Sequence, residues 1–281
     1  MKPVKKVACI HDLSCYGRCA IGAIFPLLSA LGSQVCPLPT ALLSTHTGGF
    51  EGFTFLDLHD QMREIAKHWK EIGLEFDSIY SGFLGSEAQI ETVLEFLDTF
   101  DREEMLYLAD PVMGDEGELY STYTVAMAEK TAKLCEKADI ITPNLTEAFI
   151  LTGGVYNPYP SDEQLEELLN KLDALCKKKQ KAVVITGIHD TARNLVGAVY
   201  SDSFGERTER GFAFAPHCDA FFPGTGEMLA SILLGLVLNG IGIREGLQRA
   251  VNFISKCSFE TVKLGTPRRE GLVFEGMLDQ I

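Results

Sequence analysis

Short apolar runs that end in polar or glycine-rich residues alternate with helical segments along almost the whole chain. The runs are 6–11 (KVACIH), 76–81, 105–110, 139–142 and 182–186. Residues 19–31 read as a helix, and 161–179 form the clearest one. There Ser161 and Gln164 make a capping-box pattern. Leu165, Leu168, Leu169, Leu172, Leu175 and Cys176 fall on one face at helical spacing. Lys177 to Lys179 would meet the negative end of the helix dipole. Parallel strands need crossover connections that lie over the sheet, so this alternation calls for a mostly parallel sheet covered on both faces. The expected fold class is therefore α/β. No linker-like tract and no repeat of fixed period divides the 281 residues, so one domain over 1–281 is expected.

Sheets of this kind bind ligands beyond the carboxyl ends of their strands. That rule turns the run exits into candidates: His11-Asp12, Ser81-Gly82-Phe83, Asp110-Pro111, Thr142-Pro143-Asn144 and Thr186-Gly187. Polar or glycine exits on most runs exceed what simple turn chemistry requires. The charge balance narrows the partners. Lys+Arg total 25 and Asp+Glu 39, a net charge of −14. Such a chain repels nucleic acid and anionic membranes in bulk, so neither is an expected partner. A local phosphate site stays open, because backbone amides act at short range. Three lysines precede an apolar run of only 7–10, too short for a secretory signal. The longest mostly apolar stretch, 228–238, is too short to span a bilayer. Eight cysteines show no CxxC spacing and read mostly as small core hydrophobes. A cytoplasmic protein with reduced thiols is expected.

The most informative segment is Pro223-Gly224-Thr225-Gly226-Glu227, which runs directly into MLASILLGLVL. Small flexible residues leading into a buried helix leave outward-pointing amides that can hold an anion. Glu227 in the first turn reads either as a dipole-stabilising cap or as a general base beside that anion hole. Neither GxxxxGK[ST] nor a strand-linked GxGxxG occurs, so the grip is not a P-loop or a dinucleotide fingerprint.

SGFLGS at 81–86, DPVMGD at 110–115, TPNLTEA at 142–148, VVITG at 183–187 and GTGE at 224–227 follow in that order. Together they resemble the ribokinase-like small-molecule kinases. HDLSCYG near the N-terminus and LLSTHT at 42–47 are similar to the vitamin-binding segments of the pyridoxal/pyridoxamine kinases within that family. The resemblance covers nearly the whole chain. It implies a ribokinase-like three-layer sandwich, a homodimer, and ATP- and Mg²⁺-dependent phosphorylation of the 5′-hydroxymethyl group of a B6 vitamer: pyridoxal, pyridoxamine or pyridoxine. A monovalent cation is left open.

By the same resemblance, Gly224, Thr225 and Gly226 would form the anion hole and Glu227 would be the catalytic base. Asp110 and Glu147 would hold Mg²⁺, partly through water. Asn144, Thr186 and Thr225 would face the ATP phosphates. Asp12 and Thr47 would contact the pyridine ring and its substituents, with Phe83 bordering the ring. Residue by residue, other readings stay open. Asp110 could cap a turn before Pro111, Asn144 with Glu147 looks like a capping box, and His46-Thr47 could be an ordinary polar loop.

Three positions depart from the family pattern. Glu227 replaces the usual Asp of GTGD, and an extra methylene moves the carboxylate by roughly 1–1.5 Å, enough to matter for rate. Phe83 stands where many relatives have Tyr. Asp12 replaces a common Ser and could pair with a cationic ring nitrogen or an amine. Cys218, shortly before the glycine motif, reads as a loop or core thiol. Two alternatives remain: a hydroxymethylpyrimidine kinase, or a vitamer-binding protein with activity weakened by Glu227.

Overall fold

The computed structural model describes residues 3–281. Eleven strands follow in chain order: β1 (Lys5–Ser14), β2 (Ser33–Leu43), β3 (Phe55–Asp57), β4 (Ser78–Ser81), β5 (Leu106–Ala109), β6 (Gly114–Asp115), β7 (Glu118–Leu119), β8 (Ile140–Ile141), β9 (Ala182–Asp190), β10 (Leu195–Asp202) and β11 (Glu209–Pro216). Nine form one sheet in the order β11-β10-β9-β8-β5-β4-β1-β2-β3, and β6 with β7 makes a separate two-stranded ribbon. The six strands from β9 to β2 run parallel. Antiparallel strands close both ends: β10 and β11 at one, β3 at the other.

The eight helices are α1 (Ala20–Ala30), α2 (His59–Glu71), α3 (Glu87–Phe100), α4 (Val125–Lys137), α5 (Leu145–Thr152), α6 (Asp162–Leu175), α7 (Thr225–Leu238) and α8 (Ile243–Leu264). Side chains alternate faces along a strand, so a strand buried on both faces must be apolar at every position. Val7, Cys9, Tyr80, Leu108, Ile140 and Val184 pack with α1, α7 and α8 on one face. Their sequence neighbours Ala8, Ile10, Ile79, Tyr107, Ile141 and Val183 pack with helices α2 to α6 on the other. Two cores flank one sheet, which is the three-layer arrangement expected. Among the described residues, no helix is long and apolar enough to cross a membrane.

Several boundaries differ from the sequence reading. β1 runs on to Ser14, so His11 and Asp12 lie inside the strand. The pairing with β2 slips between His11 and Leu13, an irregularity of the kind that re-aims side chains. The apolar content of 6–11 marks only the part buried on both faces. The 161–179 helix starts as expected, with Ser161 and Gln164 in a reciprocal capping box, but ends at Leu175. Cys176 is buried in extended conformation, which turns the chain toward β9 before the lysines are reached. The helix-end carbonyls of Asp173 and Cys176 are bonded instead by Lys181. β2 escapes a hydrophobic-run reading because it carries Pro37 and Pro39. Both lie where β3, which pairs only with residues 41–43, does not reach, an edge position that tolerates proline. All eight cysteines are free; Cys218 is among the six that are buried, and Cys15 is exposed.

Candidate active site

Strand parity assembles the site. Continuing the alternation past the last core residues puts His11, Asp110, Thr142 and Thr186 on the face where Cys9, Tyr80, Leu108, Ile140 and Val184 already point. The hydrogen bonds Asp110 N–H to Ser81 C=O and Thr142 N–H to Ala109 C=O carry the pairing past the ends of β5 and β8. That face is the one covered by α7, whose N-terminus is the glycine motif.

Gly224 is the N-cap of α7 in left-handed conformation (φ 86°), and no side chain caps the helix. A Cβ at Gly224 would lie 2.4 Å from the Arg18 carbonyl oxygen, so only glycine fits. The helix start is thus left to its backbone amides, at the positive end of the dipole. Gly224→Ala should cost about 1–3 kcal/mol of stability, through both the backbone conformation and the clash. A urea unfolding midpoint unchanged from wild type would contradict this. Glu227 follows in the first turn, and its Oε1 accepts a hydrogen bond from the Ala20 N–H at 3.1 Å.

Asp110 and Glu147 are buried, at 7% and 3% exposure. Burial, then the charge of Glu227, pushes Asp110 from 3.8 up to about 7, against His11, Thr142 and Tyr80. Glu147 is raised well above the carboxylate range by burial and then by Asp110. The two acids are not equally available. Glu147 Oε1 accepts from Met113 N–H at 2.9 Å and Oε2 from Asn144 N–H at 2.8 Å. In return, Asn144 Oδ1 accepts from Glu147 N–H at 2.9 Å, and its Nδ2–H donates to the Gly114 carbonyl at 2.8 Å. The capping box is therefore real, and it also ties the 110–115 loop to α5. Among the described residues, the side-chain hydrogen bond that Asp110 receives is a long one, 3.4 Å, from the Tyr80 hydroxyl. A divalent cation here would find open lone pairs on Asp110 and reach Glu147 through water. That sparse donor set suits Mg²⁺, which keeps much of its hydration and takes phosphate oxygens.

At the other end, Asp12 is 7% exposed and held by its neighbours. His11 Nδ1 lies 2.8 Å from Asp12 Oδ1, and the Ser14 hydroxyl donates to Oδ2 at 3.1 Å. Burial alone would lower the His11 pKa; the hydrogen bond and charge of Asp12, with Glu227 and Asp110, outweigh it and raise it. Gly82 makes room for this ring, since a Cβ there would be 2.0 Å from His11 Cδ2.

The expected residues are not all drawn together. Asp12 is bonded to His11, and the charges of Glu227 and Asp110 are felt at the same ring. Asn144 and Thr186 pair as a short parallel bridge, with Thr186 N–H donating to the Pro143 carbonyl at 2.9 Å. Phe83 is half-buried, and its carbonyl accepts from the Thr40 hydroxyl at 3.0 Å. Thr47 is exposed in the loop after β2. Its neighbour His46 anchors that loop: Nε2 lies 2.6 Å from the Arg269 carbonyl, and Nδ1 accepts from Gly48 N–H. Cys15 N–H donates to the Leu43 carbonyl at 2.8 Å and joins the loop to the end of β1. The sequence marks His11 as a run exit without a role of its own, and it does not single out Tyr80 or Ala20. For Tyr80, strand parity is a signal that could find it; for Ala20 there is none.

Comparison with known proteins gives a consistent family. The phosphomethylpyrimidine kinase family model matches residues 25–271. A pyridoxal kinase from Arabidopsis thaliana is 31% identical over 218 residues, covering 76% of this chain and 67% of that protein. The pyridoxal kinase structure from Lactobacillus plantarum superposes with a TM-score of 0.89 at 30% identity, covering 98% of this chain and 96% of its own. A Bacteroides thetaiotaomicron protein classed with the phosphomethylpyrimidine kinases, crystallised with pyridoxal, superposes with a TM-score of 0.88 at 37% identity, covering 98% and 95%. With its sheet order, its uncapped glycine-led helix and its two buried carboxylates, the chain belongs to the phosphomethylpyrimidine kinase family, among the pyridoxal kinase-like members with a ribokinase-like fold.

Proposed function

We propose that this chain is an ATP-dependent kinase that phosphorylates the 5′-hydroxymethyl group of a B6 vitamer. The observation that carries the reading is the convergence of three parts at the carboxyl edge of the sheet. A helix start without a side-chain cap, an acid in its first turn and a buried carboxylate pair meet there, with a fourth acid, Asp12, at the ring end. Phosphoryl transfer needs alignment and charge neutralisation more than covalent help. The amides of Gly224, Thr225 and Gly226 would hold the transferring phosphoryl group. Glu227 would take the proton of the attacking hydroxyl as its oxygen displaces ADP from the γ-phosphorus. Asn144 and Thr186 would face the nucleotide phosphates. Mg²⁺ on Asp110, with Glu147 through water, supplies charge neutralisation when bound.

Asp12 would pair with the ring nitrogen or an amine substituent, Thr47 would contact the ring's substituents and Phe83 would border it. Loss of a charge-assisted bond is worth about 1.5–3 kcal/mol. Asp12→Ala should therefore raise KM for the vitamer about 10–100-fold and leave KM for ATP unchanged. Weakened ATP binding would remove Asp12 from the ring end.

A second reading, phosphorylation of a hydroxymethylpyrimidine, is favoured by the description of the family model. Release of ADP with pyridoxal, pyridoxamine, pyridoxine and hydroxymethylpyrimidine in parallel, alongside binding of each, decides. Turnover with only the pyrimidine selects the second reading, and vitamer binding without turnover selects a binding protein. A homodimer belongs to the proposal, supported by the exposed cross-strand pair Leu42 and Leu56 at the β2–β3 edge. Light scattering giving the mass of one chain would refute it.

A further inference from the structure

We infer that residues 18–20 are a positioning element for Glu227, and that Ala20, through its backbone N–H, holds this acid where an aspartate would not reach. The inference rests on the kinase reading for the base role of Glu227, and on three observations for the rest.

The first is conformational. Four non-glycine residues among those described have positive φ: Ala20 (51°), Glu104, Glu116 and Asn194. The last three are exposed, whereas Ala20 is buried at 2% exposure. A buried alanine in the left-handed region persists only where its surroundings over-determine it, and such residues concentrate at functional sites. The second is the partner. Ala20 opens α1, whose N-cap Cys19 makes no side-chain cap bond. The amide at this helix start is given to a carboxylate from α7, 207 residues away, at 3.1 Å. The third is the second contact of the same segment. The Arg18 carbonyl sits against Gly224, with no room for a Cβ between them. One three-residue stretch therefore grips the glycine motif at its first residue and at its acid.

The consequence is geometric. With Oε1 bonded to Ala20, Glu227 is oriented by an amide of the segment that follows Asp12 and Ser14 on β1. Its other oxygen is the one left to take the hydroxyl proton. An aspartate at 227 falls short of Ala20 by one methylene.

The test is a double-mutant cycle on the full chain, with a spectroscopic readout beside it. Ala20→Gly keeps the N–H and tolerates the left-handed conformation, so kcat should stay within about twofold of wild type. Ala20→Val cannot hold φ 51° and should lower kcat at least ~10-fold with KM for ATP unchanged. In a Glu227→Asp background, where the bond is already lost, Ala20→Val should change kcat by no more than about twofold. Equal losses from Ala20→Val in both backgrounds, or a loss from Ala20→Gly matching that from Ala20→Val, would overturn the inference.

Should Ala20→Val fail to fold, the Ala20 amide reports directly. Its proton resonance in the ligand-free protein should move upfield in Glu227→Ala, and an unmoved resonance sinks the proposal. That readout needs no turnover. A protein inactive on every vitamer and pyrimidine would defeat the kinase reading and leave the anchored carboxylate standing.

Discussion

Replacing Glu227 with Gln should lower kcat by about 10²–10⁴-fold, the usual worth of a general base, with little change in KM for ATP. The amides of Gly224 to Gly226 and the metal would still stabilise charge on the phosphoryl group, so a residual rate should survive. Glu227→Asp separates two geometries. A site that kept the dimensions of a GTGD motif would work faster with the shorter acid. Here the carboxylate already reaches the Ala20 amide, and the shorter acid should lose that bond and turn over more slowly. Single-turnover rates of the three proteins decide the matter. A rate insensitive to both substitutions would mean that Glu227 only stabilises the start of α7 and that another group accepts the proton.

Asp110→Asn should lower kcat by about 10²–10³-fold and raise the Mg²⁺ concentration needed for half-maximal rate. The same substitution should stabilise the metal-free protein. Asp110 is buried beside Glu227 and Glu147, and its pKa rises from 3.8 to about 7. An acid whose folded pKa is raised holds its proton more tightly in the folded state. Its ionisation therefore costs stability as pH rises from the ordinary carboxylate range through about 7, with the full cost present above that. Asparagine does not ionise, so the gap in Tm between variant and wild type should be small near pH 4 and open toward pH 8. A gain of about 1–2 kcal/mol corresponds to roughly 2–8 °C for a chain of this size. Thermal unfolding in chelator across that pH range tests it. A gap that does not change with pH would mean that Asp110 is not ionising in a buried site. Glu147→Gln is a poorer probe of the metal. Its amide would turn an N–H₂ toward a donor, Met113 or Asn144, and loosen the loop as well as the charge.

Much of this protein is determined locally and can be read without coordinates. The apolar runs at 76–81, 105–110 and 182–186 each contain a strand, because burial on both faces forces continuous hydrophobicity there. The Ser161–Gln164 box starts α6, since capping is a contact within four residues. The glycine motif opens α7 because Gly224 supplies the left-handed backbone turn into the helix, again a local property. Polar exits single out the carboxyl edge of the sheet as the place to look for a ligand, because sheets of this kind bind ligands there.

What the chain could not show locally depends on register and on distant partners. β1 extends through His11 and Asp12, and its slip against β2 sets where those side chains aim. The extension is stabilised by pairing with residues some 30 positions later. Whether Glu147 offers its oxygens to a cation or spends them on amides depends on Met113, more than 30 residues away. Ala20 looks like an ordinary helix-starting alanine in the sequence. Only the packing of α7 against α1 brings Glu227 to its amide and makes a buried left-handed conformation worth keeping, because a bond between residues 207 apart exists only once the sheet between them has closed.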